Sequence, residues 1–249
     1  MYAVGMGETR SSKNLLLQAK AWADEQTRLK VVREMYRMRF DEPLPDDLSL
    51  QQIRGREGVR VREAYARASR ESGVDWKGRN YDRQHWRQGD PVNRALSCAN
   101  SCLYGICHAA IVSLGFSPAI GFIHTGKMLS FVYDIADLYK AGSTIPKAFQ
   151  VAAEGRPQLE SRTRQACRDA FRETRLLQRI SGDLRQVFSV VADAPAGEDR
   201  DFDADEGLPG SLWDPQLGAV EGGANRSTEQ EELRHGSHAP RKGPGVAEG

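Results

Sequence analysis

Four side chains stand in settings that argue against surface decoration. Glu57 lies in Ile53-Arg54-Gly55-Arg56-Glu57-Gly58, a carboxylate between two glycines inside an otherwise good helix. Each glycine there costs about 1 kcal/mol relative to alanine, which points to close approach by another backbone or a ligand. His124 emerges at a turn from the apolar run Gly121-Phe122-Ile123-His124-Thr125-Gly126, where it reads either as a ligand or as a satisfied core histidine. Asp134 and Asp137 sit three apart, neighbours on one helical face. The flanking Phe131, Val132, Ile135 and Ala136 make that helix too apolar for a solvated stripe, so the paired carboxylates need a cation, a shared proton or a basic partner. One imidazole with two or three carboxylates is a mixed N/O donor set, suited to Mg²⁺ or Mn²⁺ rather than zinc. An ion held there would polarise a phosphoryl group, stabilise a leaving oxygen and activate a hydroxyl, which is phosphodiester chemistry.

The elements that must position these residues are helical. Lys13–Arg39 carries one long pattern in which Leu16, Ala19, Ala23, Leu29, Val32, Met35 and Tyr36 recur at three- and four-residue steps. Glu42-Pro43-Leu44-Pro45 ends it. Ser49 is a good N-cap for a second helix through Ile53, Val59, Val61 and Tyr65 to about Glu71, stopped by Ser72-Gly73. Pro91 opens an apolar central helix to about Leu114. Further helices are expected over Leu129–Tyr139, Ile145–Ala153 and Ser161–Val190. Between the second and central helices, Asp75–Asp90 is aperiodic and interleaves Trp76, Tyr81 and Trp86 with Lys77, Arg79, Arg83 and Arg87. Aromatics among bases suit nucleic acid, where rings stack and cations neutralise phosphate, or they pin a loop to the core. No strand alternation is convincing except in the first few residues, so the fold class is all-α.

The formal net charge of +1 hides two opposed parts. Positions 191–249 hold 13 acids and 5 bases, leaving 21 acids and 30 bases before them: a +9 body and a −8 tail. A basic excess of that size fits a polyanion partner or a solvated face. The tail also holds 10 of the 24 glycines and 5 of the 11 prolines, and is expected to be disordered. The domains are therefore 1–190, a helical catalytic body, and 191–249, an acidic tail. Cys98, Cys102, Cys107 and Cys167 form no CxxC pair and read as reduced, buried thiols. Met1–Glu8 lacks the pattern of a signal peptide, and the apolar stretch Ala109–Ile123 is too short and too broken to span a bilayer. A cytoplasmic protein with no membrane partner is expected.

The segments Arg54–Glu63 (RGREGVRVRE), Gly78–Asp90 (GRNYDRQHWRQGD), Ser101–Gly105 (SCLYG) and Pro118–Lys140 (PAIGFIHTGKMLSFVYDIADLYK) strongly resemble the CRISPR-associated adaptation integrase, the Cas-one protein, in its type I-E form. The resemblance runs from about Ala3 to Val190. It implies that Glu57, His124 and Asp137 ligate Mg²⁺ or Mn²⁺ and that Asp134 is a nearby acid needed for the same chemistry. It implies insertion of foreign DNA segments into a CRISPR array, a protospacer 3′-hydroxyl attacking a phosphodiester at each end of the repeat, together with metal-dependent endonuclease activity. On that reading Tyr81 and Trp86 contact DNA near the cut, and Tyr104 supports the ligands or a strand end. Arg56, Arg60, Arg62, Lys77, Arg79, Arg83 and Lys140 neutralise phosphate. The implied partners are DNA, a second copy of the chain and the small Cas-two protein. Family members carry an N-terminal β-rich domain ahead of the segment that begins here near Ala3, and that domain, which contributes to dimerisation, is expected to be lacking. Two alternatives stand beside integration: a stand-alone nuclease for branched or single-stranded DNA, and a truncated remnant that binds DNA without integrating it.

Overall fold

The computed structural model describes residues 12–79, 90–191, 212–216 and 218–220. Its helices are α1 (Lys13–Ala23), α2 (Glu25–Arg37), α3 (Leu50–Ser72), α4 (Pro91–Ser113), α5 (Ser130–Ala136), α6 (Thr144–Ala153), α7 (Leu159–Glu173) and α8 (Leu176–Ser189). The body is all-α, as expected.

Two expected helices are each a pair. Lys13–Arg39 breaks at Asp24, whose extended backbone ends α1 and whose carboxylate accepts the Thr27 N–H to start α2. The break resets the helical phase. Leu16, Ala23 and Leu29, expected on the buried face, are therefore exposed, while Gln18 and Ala21 are buried and Val32, Met35 and Tyr36 keep their place in the core. Ser161–Val190 also breaks, but without a side-chain cap: Arg175 adopts a left-handed φ of 47° between α7 and α8. The Leu129–Tyr139 helix is shorter than expected, with Asp137 at the C-cap of α5.

The other boundaries have plain causes. Ser49 and Gln52 form a capping box at the start of α3, and Gly73, at φ 70°, ends it in the left-handed region. Asp90 caps the Asn93 N–H and Pro91 takes the first turn of α4.

α4 is the hub, packing on α5, α6, α7 and α8. By length and composition it could cross a membrane, but it buries Val92, Ala95, Leu96, Ala99, Leu103, Cys107, Ala110 and Ile111 in the protein core. Phe116, Phe122, Phe131 and Phe188 pack ring to ring beside it, with Phe116 stacked on Phe188 at 4.8 Å. Cys107 and Cys167 are buried, whereas Cys98 and Cys102 are half-buried; all four are free thiols.

The chain divides into two units, Met1–Gly197 and Glu198–Gly249. Within the second, β1 (Leu212–Asp214) pairs antiparallel with β2 (Gly218–Val220), placing Leu212 opposite Val220 and Asp214 opposite Gly218. That hairpin was not expected: three residues per strand are too few for an alternation to be read. Elsewhere the expected disorder of the tail falls outside the described residues.

Candidate metal centre

Asp134 is wholly buried on α5 and organises the loop that carries His124. Its Oδ2 accepts the Phe122 and Ile123 N–H groups at 2.6 and 3.1 Å, and its Oδ1 accepts the His124 N–H at 2.8 Å. The same Oδ1 lies 2.7 Å from His124 Nδ1. With Nδ1 donating, Nε2 faces Asp137, whose Oδ2 is 3.8 Å away, and in the neutral ring it carries the lone pair. The hydrogen bond to Asp134 raises the imidazole pKa; partial burial works against it and the charge of Asp137 adds to it. Gly121 allows this turn, since a Cβ there would stand 2.2 Å from the His124 carbonyl oxygen. Gln18 fixes the loop from the other side, donating to the Ser117 and Ile120 carbonyls and accepting the Ser117 N–H.

Asp134 and Asp137 therefore do not compete for one partner. Asp137 faces the chain's cations: Lys140 Nζ at 2.6 Å from Oδ1 and Arg39 Nη2 at 3.8 Å from Oδ2. Burial works to lower the Lys140 pKa, but Asp137 and Tyr104 outweigh it and the ammonium sits above its ordinary value. Glu57 on α3 takes Arg60 on both oxygens, at 2.8 and 3.0 Å, and Arg39 Nη1 at 3.4 Å. That grip raises the Arg60 pKa. Arg39 thus links the two carboxylates from the buried side.

Among the described residues no three His, Cys, Asp or Glu side chains are gathered closely enough to hold an ion as they stand. The donor set still fits a hard divalent cation: the carboxylates of Glu57 and Asp137, and an imidazole nitrogen oriented by a buried carboxylate behind it. Sequence reasoning singled out all four of these residues but missed Arg39. A lone arginine at the end of an amphipathic helix carries no signal until the fold places it between acids.

Among the described residues, no close approach of the expected kind is made at the glycines of α3. Nothing lies within 4 Å of a Cβ built at Gly55, and only an Arg62 nitrogen, at 3.9 Å, meets one at Gly58. Both open away from the core, beside the exposed Arg56 and Arg62. Arg60 and Lys140 are engaged by the site carboxylates. Lys140 also lies over the Tyr104 ring at 4.9 Å, and Tyr104 meets Tyr133 edge-on at 5.0 Å. Lys77 is exposed and pairs with Asp75. Arg79 ties its loop to α4 through Asn93 and Ser97, and Trp76 stacks on Tyr65 at 4.6 Å against Phe149. Both contacts pin the loop to the helices. Tyr81, Arg83 and Trp86 lie outside the described residues. Missed altogether were Arg164, Arg168, Arg172 and Arg175, which line a cavity of about 500 Å³ with Cys102, Ile106 and Phe171.

What the fold and site define is an all-helical domain carrying a carboxylate–imidazole cluster interleaved with cations. The family described as CRISPR associated protein Cas1 matches residues 6–158, and the chain belongs to that family. A CRISPR-associated endonuclease Cas1 of Thermus thermophilus is 59% identical over 89% of this chain and 67% of its own length. That of Escherichia coli is 45% identical over 81% of this chain and 66% of its own length. A crystal structure of a TtCas1–DNA complex superimposes with TM-score 0.68 at 60% identity, covering 73% of this chain and 67% of that one. The chain spans about two thirds of the length of these relatives.

Proposed function

We propose that this protein is a metal-dependent DNA endonuclease and integrase of spacer acquisition, of the type I-E form, working in the cytoplasm. The observation that carries this reading is His124 Nε2 facing Asp137 while Nδ1 is tied to Asp134. That orientation is what a ligating imidazole needs. Family membership supports the nuclease reading, because the curated relatives are named endonucleases, and the TtCas1–DNA complex supports DNA as the substrate.

Glu57, His124 and Asp137 would hold Mg²⁺ or Mn²⁺, which when bound supplies Lewis-acid polarisation of the phosphodiester. Asp134 holds His124 in the tautomer and orientation that ligation requires. The exposed Arg56, Arg62 and Lys77 neutralise phosphate along the strand. A strand-end 3′-hydroxyl attacks the target phosphorus, a new P–O bond forms as the old one breaks, and the displaced oxygen leaves as the other strand's 3′-hydroxyl. Water in place of the attacking hydroxyl gives hydrolysis. The Cas-two protein and a second copy of the chain are the partners this chemistry calls for, since two ends must be inserted at a fixed spacing.

Asp137→Ala and His124→Ala should abolish Mg²⁺- or Mn²⁺-dependent strand transfer of a labelled protospacer into a repeat-bearing plasmid while leaving DNA binding largely intact. Wild-type turnover in either variant would sink the assignment. Hydrolysis of branched DNA by the parent protein without strand transfer would assign it instead to the stand-alone nucleases.

A further inference from the structure

We infer that Arg39, Arg60 and Lys140 are positioning residues that stand in for a divalent cation, so that the ion and nucleic-acid phosphate bind this site with positive coupling. The inference rests on the metal reading above and concerns how this chain's residues behave toward that ion.

Glu57, Asp134 and Asp137 bring three carboxylates; Arg39, Arg60 and Lys140 bring three permanent cations, each within 4 Å of a Glu57 or Asp137 oxygen. With His124 neutral as a ligand, these six groups balance before an ion arrives, and Asp41 acts on Arg60 from farther off. A divalent cation added to them leaves two positive charges in excess, in surroundings where Arg39 is 3% and Asp137 20% exposed. Water screens such an excess poorly. Phosphate oxygens brought by DNA would neutralise it, so each ligand improves the site for the other.

Arg60 and Lys140 hydrogen-bond their carboxylates closely, whereas Arg39 is kept in place by charge more than by hydrogen bonding. Its contacts to Glu57 and to the Asp134 carbonyl are long, at 3.4 Å, and its contact to Asp137 is longer still at 3.8 Å. Its Nε is the single buried side-chain nitrogen or oxygen among the described residues without a hydrogen-bond partner. A buried guanidinium so poorly satisfied is held by the two carboxylates on either side of it and by the Tyr36 ring 4.9 Å beneath. Arg60 and Lys140 have partly exposed side chains. They can swing from carboxylate to phosphate as DNA enters, releasing Glu57 and Asp137 to the ion.

The test is Mn²⁺ binding to the full chain, read from the loss of the free-ion EPR signal, with and without a short DNA duplex at matched ionic strength. His124→Ala serves as the control for ions held by the DNA itself. DNA should tighten Mn²⁺ binding by roughly 5- to 150-fold, and Mn²⁺ should tighten DNA binding by the same factor. Without DNA, Arg60→Gln should bind Mn²⁺ severalfold more tightly than the parent and show weaker coupling, whereas Arg60→Lys should match the parent. A merely structural Arg60 would do the reverse, since loosening Glu57 weakens the ion. Arg39→Gln and Arg39→Lys repeat the comparison at the buried position; should they fail to fold, the Arg60 pair carries the test alone. Mn²⁺ affinity indifferent to DNA, or unchanged or weakened in Arg60→Gln, overturns this inference and leaves the metal reading standing. Absence of any His124-dependent Mn²⁺ binding overturns the metal reading as well.

Discussion

Replacing Asp134 by asparagine separates two jobs that this carboxylate performs together. Its oxygens meet four donors: the Phe122 and Ile123 N–H groups on Oδ2, and the His124 N–H with the His124 ring on Oδ1. An amide has one oxygen to offer. If its NH₂ took the Oδ2 position it would confront two backbone donors, so the cheaper arrangement puts NH₂ at Oδ1. There one backbone N–H loses its acceptor, and the ring can be satisfied only by turning Nδ1 into an acceptor. The cost is one orphaned donor, about 1–3 kcal/mol. The other consequence is chemical, because the proton moves to Nε2 and the lone pair facing Asp137 disappears. Asp134→Ala orphans all three N–H groups. With water able to reach part of this loop, the lower end of the range applies to each and the total is about 3–5 kcal/mol. Urea unfolding at pH 7 measures both costs, ¹⁵N chemical shifts of the His124 ring report the tautomer, and amide exchange at Phe122, Ile123 and His124 reports the loop. Asp134→Asn should lose strand transfer while remaining mostly folded. An asparagine variant that keeps Nδ1 protonated, or an alanine variant within about 1 kcal/mol of the parent, would refute the reasoning.

Three further outcomes follow from other parts of the fold. Glu34 is buried and gripped by Arg37, with Gln186 of α8 on the same oxygen, and the Arg37 hydrogen bond holds its pKa below the ordinary glutamate value. Its contribution to stability is present above a pH of about 4.5, the unfolded value, and is lost as pH falls through the lowered folded value. In denaturation series across that window, Glu34→Gln should flatten the acid limb, and an unchanged slope would remove Glu34 from the account. Gly121→Ala should cost about 3 kcal/mol, the upper part of the overpacking range, because the added Cβ meets backbone and Ser130 rather than a yielding side-chain tip; a melting curve matching the parent would mean the loop has another way to close. Gln18→Ala leaves the Ser117 N–H and two carbonyls without partners, and a loss of about 2–4 kcal/mol is expected from urea unfolding.

What the sequence revealed and what it hid divide along physical lines. Caps and stops are local, so Ser49 and Gly73 placed both ends of α3, and Pro91 the start of α4, correctly. The four site residues were legible because each broke a local rule: an acid between glycines, a histidine at the end of an apolar run, acids on an apolar helix. The break at Asp24 left a local sign, an aspartate poor in helix interiors and good as an N-cap, which the apolar periodicity on either side masked; the break at Arg175 left none, since arginine is a good helix former. Arg39 and Gln18 were invisible as well. Gln18 meets Ser117 and Ile120, and Arg39 meets Asp134 and Asp137, about a hundred residues away, and even Glu57 lies a loop and a helix start beyond Arg39, so no local pattern encodes these meetings.

That distance bears on how the site comes into being. The loop that carries His124 is tied to the first two helices at four points: Asn14 to Leu114, Gln18 to Ser117 and Ile120, and Arg28 to Phe122. Closing contacts across so much chain is entropically slow, so the loop cannot settle while α1 is adrift. During synthesis α1 must wait for residues made much later. In the finished protein these hydrogen bonds couple the two, so an opening of α1 would loosen the loop that carries the imidazole.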